Sequence, residues 1–187
     1  MVSLTTPAGQ LGWLAAPFEL PGTDGQRHTL ESIRGAKGTV VMFICNHCPY
    51  VKAVVAKIVR DMTELRPNGV GSIAIMSNDP AAYPEDSFDN MKAFAAQHGF
   101  TFPYVLDGTQ DVARAYGAVC TPDFFGFDGD LKLAYRGRLD ASGRSSDPAA
   151  SRELFDAMLS VARTGKAPGV QHPSVGCSIK WASGSDT

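Results

Sequence analysis

The clearest pattern in the chain is an apolar run, Val40-Val41-Met42-Phe43-Ile44, that breaks off at Cys45-Asn46-His47-Cys48-Pro49-Tyr50. β-Branched and aromatic residues over that length predict a strand buried on both faces, as in a parallel sheet. The period then changes. From Val51 the apolar positions Val51, Val54, Val55, Ile58, Met62 and Leu65 recur at three and four, with Lys52, Lys57, Arg60, Asp61 and Glu64 opposite, which predicts a helix with one face in the core. Pro67-Asn68-Gly69 stops it. Val70–Met76 predicts a second buried strand, and Ser77-Asn78-Asp79-Pro80 a loop at its carboxyl end, beside Cys45. A second helix is expected from near Pro84, with Glu85, Asp86 and Asp89 in its first turn and Phe88, Met91, Phe94 and Ala95 inward. His98, at its end, reads as a dipole partner.

Residues 102–106 predict a third strand and residues 110–116 a short helix closed by Gly117. Asp123–Asp128 and residues 131–136, joined around Gly129-Asp130, predict an antiparallel hairpin, and residues 148–164 an amphipathic helix. Upstream of the first strand, residues 1–12 read as an extended arm. Pro17 and Pro21 exclude a helix there, so Trp13, Leu14, Phe18 and Leu20 cover one end of the core. His28-Thr29-Leu30 suits a short strand, with His28 at the surface. The alternation argues an α/β fold, a central mixed sheet flanked by helices. One domain over residues 1–187 is expected, with a core at about 10–164 and an irregular tail at 165–187.

Composition removes several functions. The 187 residues are 44% hydrophobic and 19% charged with net charge −2, globular values that give no electrostatic case for nucleic acid or an anionic membrane. No apolar run approaches the ~20 residues of a membrane span. Met1 to Pro7 has neither a basic nor an apolar signal region, so the expected location is the cytoplasm. Four cysteines in a cytosolic chain more often serve redox or metal chemistry than a disulfide scaffold.

Cys45 and Cys48 fall on a strand-to-helix turn, where helix-start N–H groups and the macrodipole favour an anion such as a thiolate. Their spacing lets one sulfur attack a mixed disulfide formed on the other. Cys45, nearer the loop, is expected to attack and Cys48 to resolve. His47, if protonated, would favour the Cys45 thiolate; otherwise it is an exposed side chain of little effect. A zinc site would need a second pair of ligands, and the chain offers only isolated Cys120, Cys177 and His172. Cys177, in a tail with Gly176 and Trp181, could return as a resolving thiol or remain packed or free.

The strand, the Cys45-Asn46-His47-Cys48-Pro49 turn and a later Cys120-Thr121-Pro122 resemble the thioredoxin superfamily, in its peroxiredoxin-like branch of alkyl hydroperoxide reductase/thiol-specific antioxidant type. Gly176-Cys177-Ser178-Ile179-Lys180-Trp181 is also similar to members of that branch. The resemblance implies a thioredoxin-like fold with a small N-terminal hairpin, and it implies that Thr121-Pro122 is a cis-proline loop facing the dithiol and lining a docking groove. Cys120 would then lie beside the site, as a third redox cysteine, a metal ligand or an apolar filler. Two positions depart from the pattern: Met42 stands where thioredoxins keep a buried acid, and the Pro-x-x-x-Thr-x-x-Cys signature of peroxide-reacting cysteines is missing. The expected activity is a thiol-disulfide oxidoreductase, an antioxidant type of enzyme in cell redox homeostasis. It would act on protein or small-molecule disulfides with a cellular dithiol as reductant, and without a bound cofactor or metal. The alternatives are a thiol peroxidase, a soft-metal binder using Cys45, Cys48 and Cys120 for Cu(I) or Zn, and a binding module without catalysis.

Overall fold

The computed structural model describes residues 2–145 and 147–182. In chain order the elements are β1 (Ser3–Thr5), β2 (Glu19–Pro21), β3 (Arg27–Thr29), β4 (Gly38–Phe43), α1 (Pro49–Leu65), β5 (Val70–Met76) and α2 (Phe88–His98). Then follow β6 (Tyr104–Leu106), α3 (Asp111–Tyr116), β7 (Cys120–Thr121), β8 (Asp123–Asp128), β9 (Leu133–Gly137), α4 (Glu153–Thr164) and β10 (Val175–Ser178).

Every residue of β4 is buried, because the strand occupies the middle of a five-stranded sheet ordered β6-β5-β4-β8-β9. β4, β5 and β6 run parallel; β8 and β9 are antiparallel. Alternate side chains of β4 serve two cores. Val40, Met42 and Ile44 meet the apolar face of α1 together with Met91 of α2 and Leu154, Met158 and Val161 of α4. Val41 and Phe43 meet Ile73, Ile75, Phe125, Phe127, Tyr116 of α3 and the β2–β3 hairpin. Burying an aliphatic or aromatic side chain of this kind contributes about 1.5–3 kcal/mol, so the strand is held from both faces.

Pro49 occupies the first turn of α1, where no N–H is needed, and a single 3₁₀ turn at Arg66–Asn68 with Gly69 at φ 81° ends the helix region. Two helices start later than their periodicity suggested. Pro84–Asp86 forms a separate 3₁₀ turn, and α2 begins after Ser87, whose Oγ accepts from Asn90 N. Residues 148–152 stay outside α4, and Arg152 instead reaches Asp61 at 2.6 Å and Glu64 at 2.8 Å. Asp61 therefore lies buried beneath Arg152, not on the solvent face. His28 is half-buried and pairs with Asp24, and His98 closes α2 against Phe94.

The tail corrects the sequence reading. It was expected to be irregular over 165–187, yet β10 joins a three-stranded sheet ordered β1-β10-β7. Cys177 pairs with Ser3 on one side and with Thr121 on the other. Residues 183–187 lie outside the described part of the chain. Gly176 permits the approach, since a Cβ there would fall onto the Thr121 carbonyl. Beyond β10, Ile179 N donates to Val119 O at 3.1 Å and Lys180 N to Asn78 Oδ1 at 2.9 Å. No helix among the described residues is long and apolar enough to cross a membrane.

Candidate active site

Strand ends and loops bring the cysteines together. β4 stops at Phe43, Ile44 N still bonds Ile75 O at 3.0 Å, and Cys45 is the next residue out. Cys48 caps α1 in an extended conformation. The neighbouring β8 starts at Asp123, opposite Phe43, which sets the Thr121-Pro122 loop directly over that turn. The Thr121–Pro122 bond is cis. Thr121 Oγ1 lies 3.3 Å from Cys45 Sγ, and Thr121 O lies 3.1 Å from Cys48 Sγ, which donates to it when protonated. Both Cys45 and Cys48 are fully buried.

A residue that sequence reasoning assigned to a helix dipole turns out to hold the site. Asp86, fully buried, projects from its 3₁₀ turn into the Cys45–Cys48 turn. Its Oδ1 accepts from Asn46 N at 2.8 Å and His47 N at 3.3 Å; its Oδ2 accepts from Asn78 Nδ2 at 2.7 Å and His47 Nδ1 at 2.7 Å. Tyr104 donates to Asn46 Oδ1 at 3.0 Å, and Tyr83 stacks on His47 with centroids 5.4 Å apart. The signal that pointed here was the Ser77–Pro80 loop, expected beside Cys45. It arrives through Asn78, and Asp86 lies eight residues further on in the same connection. His47 is therefore a fixed, largely buried side chain, not a solvent-exposed one.

The electrostatics divide the two cysteines. Cys48 is brought down to about 5, against burial, by the Cys45 thiol, the Cys177 thiol and the Val51 N–H at the helix start. Cys45 is held well above the usual thiol range because it donates to Cys48, is buried and faces the Asp86 carboxylate. The two thiols therefore titrate as one coupled pair that gives up its first proton readily and its second reluctantly. The contact with Thr121 O favours a protonated Cys48 but is outnumbered by these donors. The sequence reading expected the thiolate on Cys45; the Asp86 carboxylate and burial work against it there, and the helix start favours it on Cys48.

The other two cysteines differ. Burial and then the neighbouring Cys48 push Cys177 up to about 12. Cys120 is raised further by burial and Asp123, and its sulfur reaches only Pro122 O, at 3.7 Å. Cys120 packs as a neutral apolar residue.

Ligand atoms converge on a different set from the three cysteines proposed from sequence. Cys45 Sγ, His47 Nδ1 and an Asp86 oxygen lie within 4.8 Å of one another, a group that includes neither Cys48 nor Cys120. The fit to a metal is poor. Both Asp86 oxygens are already engaged, and His47 Nε2 is buried without a partner, whereas a ligating imidazole needs its second nitrogen anchored. Nor is this a proton relay, because sulfur and carboxylate address the same nitrogen, Nδ1, with Cys45 Sγ 3.9 Å away.

A mixed sheet whose central strand ends in a buried Cys-x-x-Cys pair beneath a cis-proline loop defines a thioredoxin-like protein. Residues 11–136 match the AhpC/TSA family, and the chain belongs to it. A solved structure of an uncharacterized conserved protein from Geobacillus kaustophilus shares 45% identity over 98% of each chain, with a TM-score of 0.93. A thiol-disulfide oxidoreductase ResA from Geobacillus thermodenitrificans is 30% identical, and the match covers 66% of this chain and 66% of that relative, just under two thirds of either. The peroxidoxin BcpB of Mycobacterium tuberculosis, 18% identical over 84% of this chain and 98% of its own with a TM-score of 0.62, shares the fold.

Proposed function

We propose that this protein is a thiol-disulfide oxidoreductase in which Cys45 and Cys48 act as one dithiol. The observation that carries it is the geometry: Cys45 and Cys48 share a strand-to-helix turn beneath the cis Thr121–Pro122 bond, with Thr121 Oγ1 3.3 Å from Cys45 Sγ and Thr121 O 3.1 Å from Cys48 Sγ, so that the coupled pair can pass the Cys45 proton to Cys48 as Cys45 attacks a substrate disulfide. The departing substrate thiolate receives that proton from Cys48. Cys48 is then a thiolate again, attacks Cys45 in the mixed disulfide, and releases the second half of the substrate as its thiolate. Two electrons pass from the dithiol to the substrate, and a cellular dithiol restores them. In this scheme Cys48 does the work of the acid that Met42 does not supply. The name borne by the Geobacillus thermodenitrificans relative agrees with this chemistry.

Substrates are protein or small-molecule disulfides. Thr121 and Pro122 border the pair, and a cleft lined by Tyr50, Val54, Pro122, Phe124 and Leu139, and also by Arg138 and Asp140, lies beside them, with apolar surface for a neighbour of the substrate cysteine. As part of this proposal we put the protein in the cytoplasm, as an antioxidant in cell redox homeostasis, because a dithiol that gives electrons to disulfides needs a supply of reduced thiols. The test is to incubate a Cys48→Ser variant with a small chromogenic disulfide. A stable mixed disulfide on Cys45 is expected, formed more slowly because the Cys48 base is gone, with turnover lost; a Cys45→Ser variant that still turns over would refute the order of attack.

A further inference from the structure

Cys177 plays no part in the exchange above, yet its position is built around that exchange. β10 lies antiparallel on β7 with Cys177 opposite Thr121, the residue that touches both Cys45 and Cys48. Cys177 is 2% exposed and packs in the same cluster as those two cysteines, with its thiol beside Cys48. The strand is pinned at both ends of this contact. Ser174 Oγ donates to Pro122 O at 2.7 Å and Ser174 N to Thr6 Oγ1 at 2.9 Å, while Asn78 and Val119 hold residues 179–180. A filler cysteine needs no such neighbourhood, as Cys120 illustrates. Moreover, β10 fills the backbone edge of β7 next to the cis-proline, the edge on which an external strand would otherwise pair.

We propose that Cys177 is the third redox residue of this site, exchanging with the Cys45–Cys48 disulfide to place the bond between Cys48 and Cys177. The inference rests on the dithiol reading. The Cys177 thiolate attacks Cys48 Sγ, the Cys48–Cys177 bond forms, the Cys45–Cys48 bond breaks, and Cys45 leaves as a thiolate that takes up the proton Cys177 lost. No electrons are gained or lost, so no further oxidant is needed. Two features help the proton off Cys177. Oxidation removes the Cys48 charge beside it, and the Lys180 ammonium, held on Ser178 O at 2.6 Å, stands by to offset the new anion. The exchange moves the disulfide onto the tail strand and returns Cys45 as a free thiol.

The test is to oxidise the full chain with oxidised glutathione, quench in acid, alkylate the unfolded protein and map disulfide-linked peptides by mass spectrometry. Wild type is expected to give both Cys45–Cys48 and Cys48–Cys177 peptides, with Cys120 fully alkylated. A Cys45→Ser variant should give Cys48–Cys177 in most molecules; a Cys177→Ser variant should give Cys45–Cys48 alone. The wild-type map decides the matter even if a variant does not fold. Cys45–Cys48 formation with Cys177 fully alkylated, or Cys177 bridged to Cys45 or Cys120, overturns the inference and leaves the dithiol reading standing. If Cys45 and Cys48 do not bridge at all, the dithiol reading falls, and this inference with it.

Discussion

At the scale of single residues, the question is where one proton sits. Cys45 and Cys48 are both fully buried, which raises both thiols; what most separates them is the company each keeps. Cys48 has thiols on Cys45 and Cys177 and the Val51 N–H to donate to it, while Cys45 faces a carboxylate whose four hydrogen bonds fix it in place. Asp86 therefore does two things: it holds the N–H groups of Asn46 and His47 that shape the turn, and it keeps negative charge off Cys45. A pH dependence follows. Cys48 sits at about 5 in the folded chain, below the roughly 8.5 of an unfolded cysteine. Its charge therefore contributes stability that is complete above about pH 8.5 and is lost as pH falls through about 5. Thiolate absorbance near 240 nm is expected to titrate around pH 5 in wild type and to lose that step in Cys48→Ser. In denaturant melts the stability gap between the two proteins should narrow toward acid pH; a gap constant across that window would remove the charge from Cys48.

At the scale of elements, legibility followed periodicity. β4, α1, β5 and the β8–β9 hairpin were readable because each buries a long apolar set at a fixed spacing, and the site turn inherited its place from two of them. What escaped has no period. Asp86 belongs to a three-residue 3₁₀ turn, where an acid before a helix looks like any dipole partner. β10 is Val-Gly-Cys-Ser, four residues without an apolar stripe, and it becomes a strand only because β1 and β7 offer edges on both sides. Gly176 is the point on which this depends, since any side chain there strikes the backbone of Thr121. Gly176→Val should therefore lift β10 from β7 and open the pair to solvent. Iodoacetamide modification of Cys48 in the folded protein is expected to accelerate about tenfold, equivalent to ~1.4 kcal/mol of easier local opening. An unchanged rate would mean that β10 is not what covers the sulfurs.

At the scale of the whole molecule, the site is a junction between two sheets. Four stretches far apart in sequence meet there: the end of β4, the connection through Asn78 and Asp86, the cis-proline loop, and the tail strand. The AhpC/TSA fold is retained, but the junction suits one of its chemistries over the other. Reduction of a peroxide needs a thiolate on the attacking sulfur and a group to stabilise the oxygen anion that leaves. Here the outer cysteine lies beside the Asp86 carboxylate, which disfavours its thiolate, and the groups acting most strongly on either sulfur are thiols, a hydroxyl, a backbone N–H and that carboxylate, with no cation among them. Disulfide exchange also needs the attacking sulfur as its thiolate, but it asks less of the surroundings, because the departing thiolate is a stable anion that needs no such stabilisation. At equal concentrations, hydrogen peroxide is therefore expected to be consumed more slowly than a small disulfide is reduced, with both rates measured against the same dithiol reductant. A faster peroxide rate would require Cys45 to reach its thiolate by a rearrangement that moves Asp86 away, and Asp86→Asn would then raise the peroxide rate and leave that arrangement open to measurement.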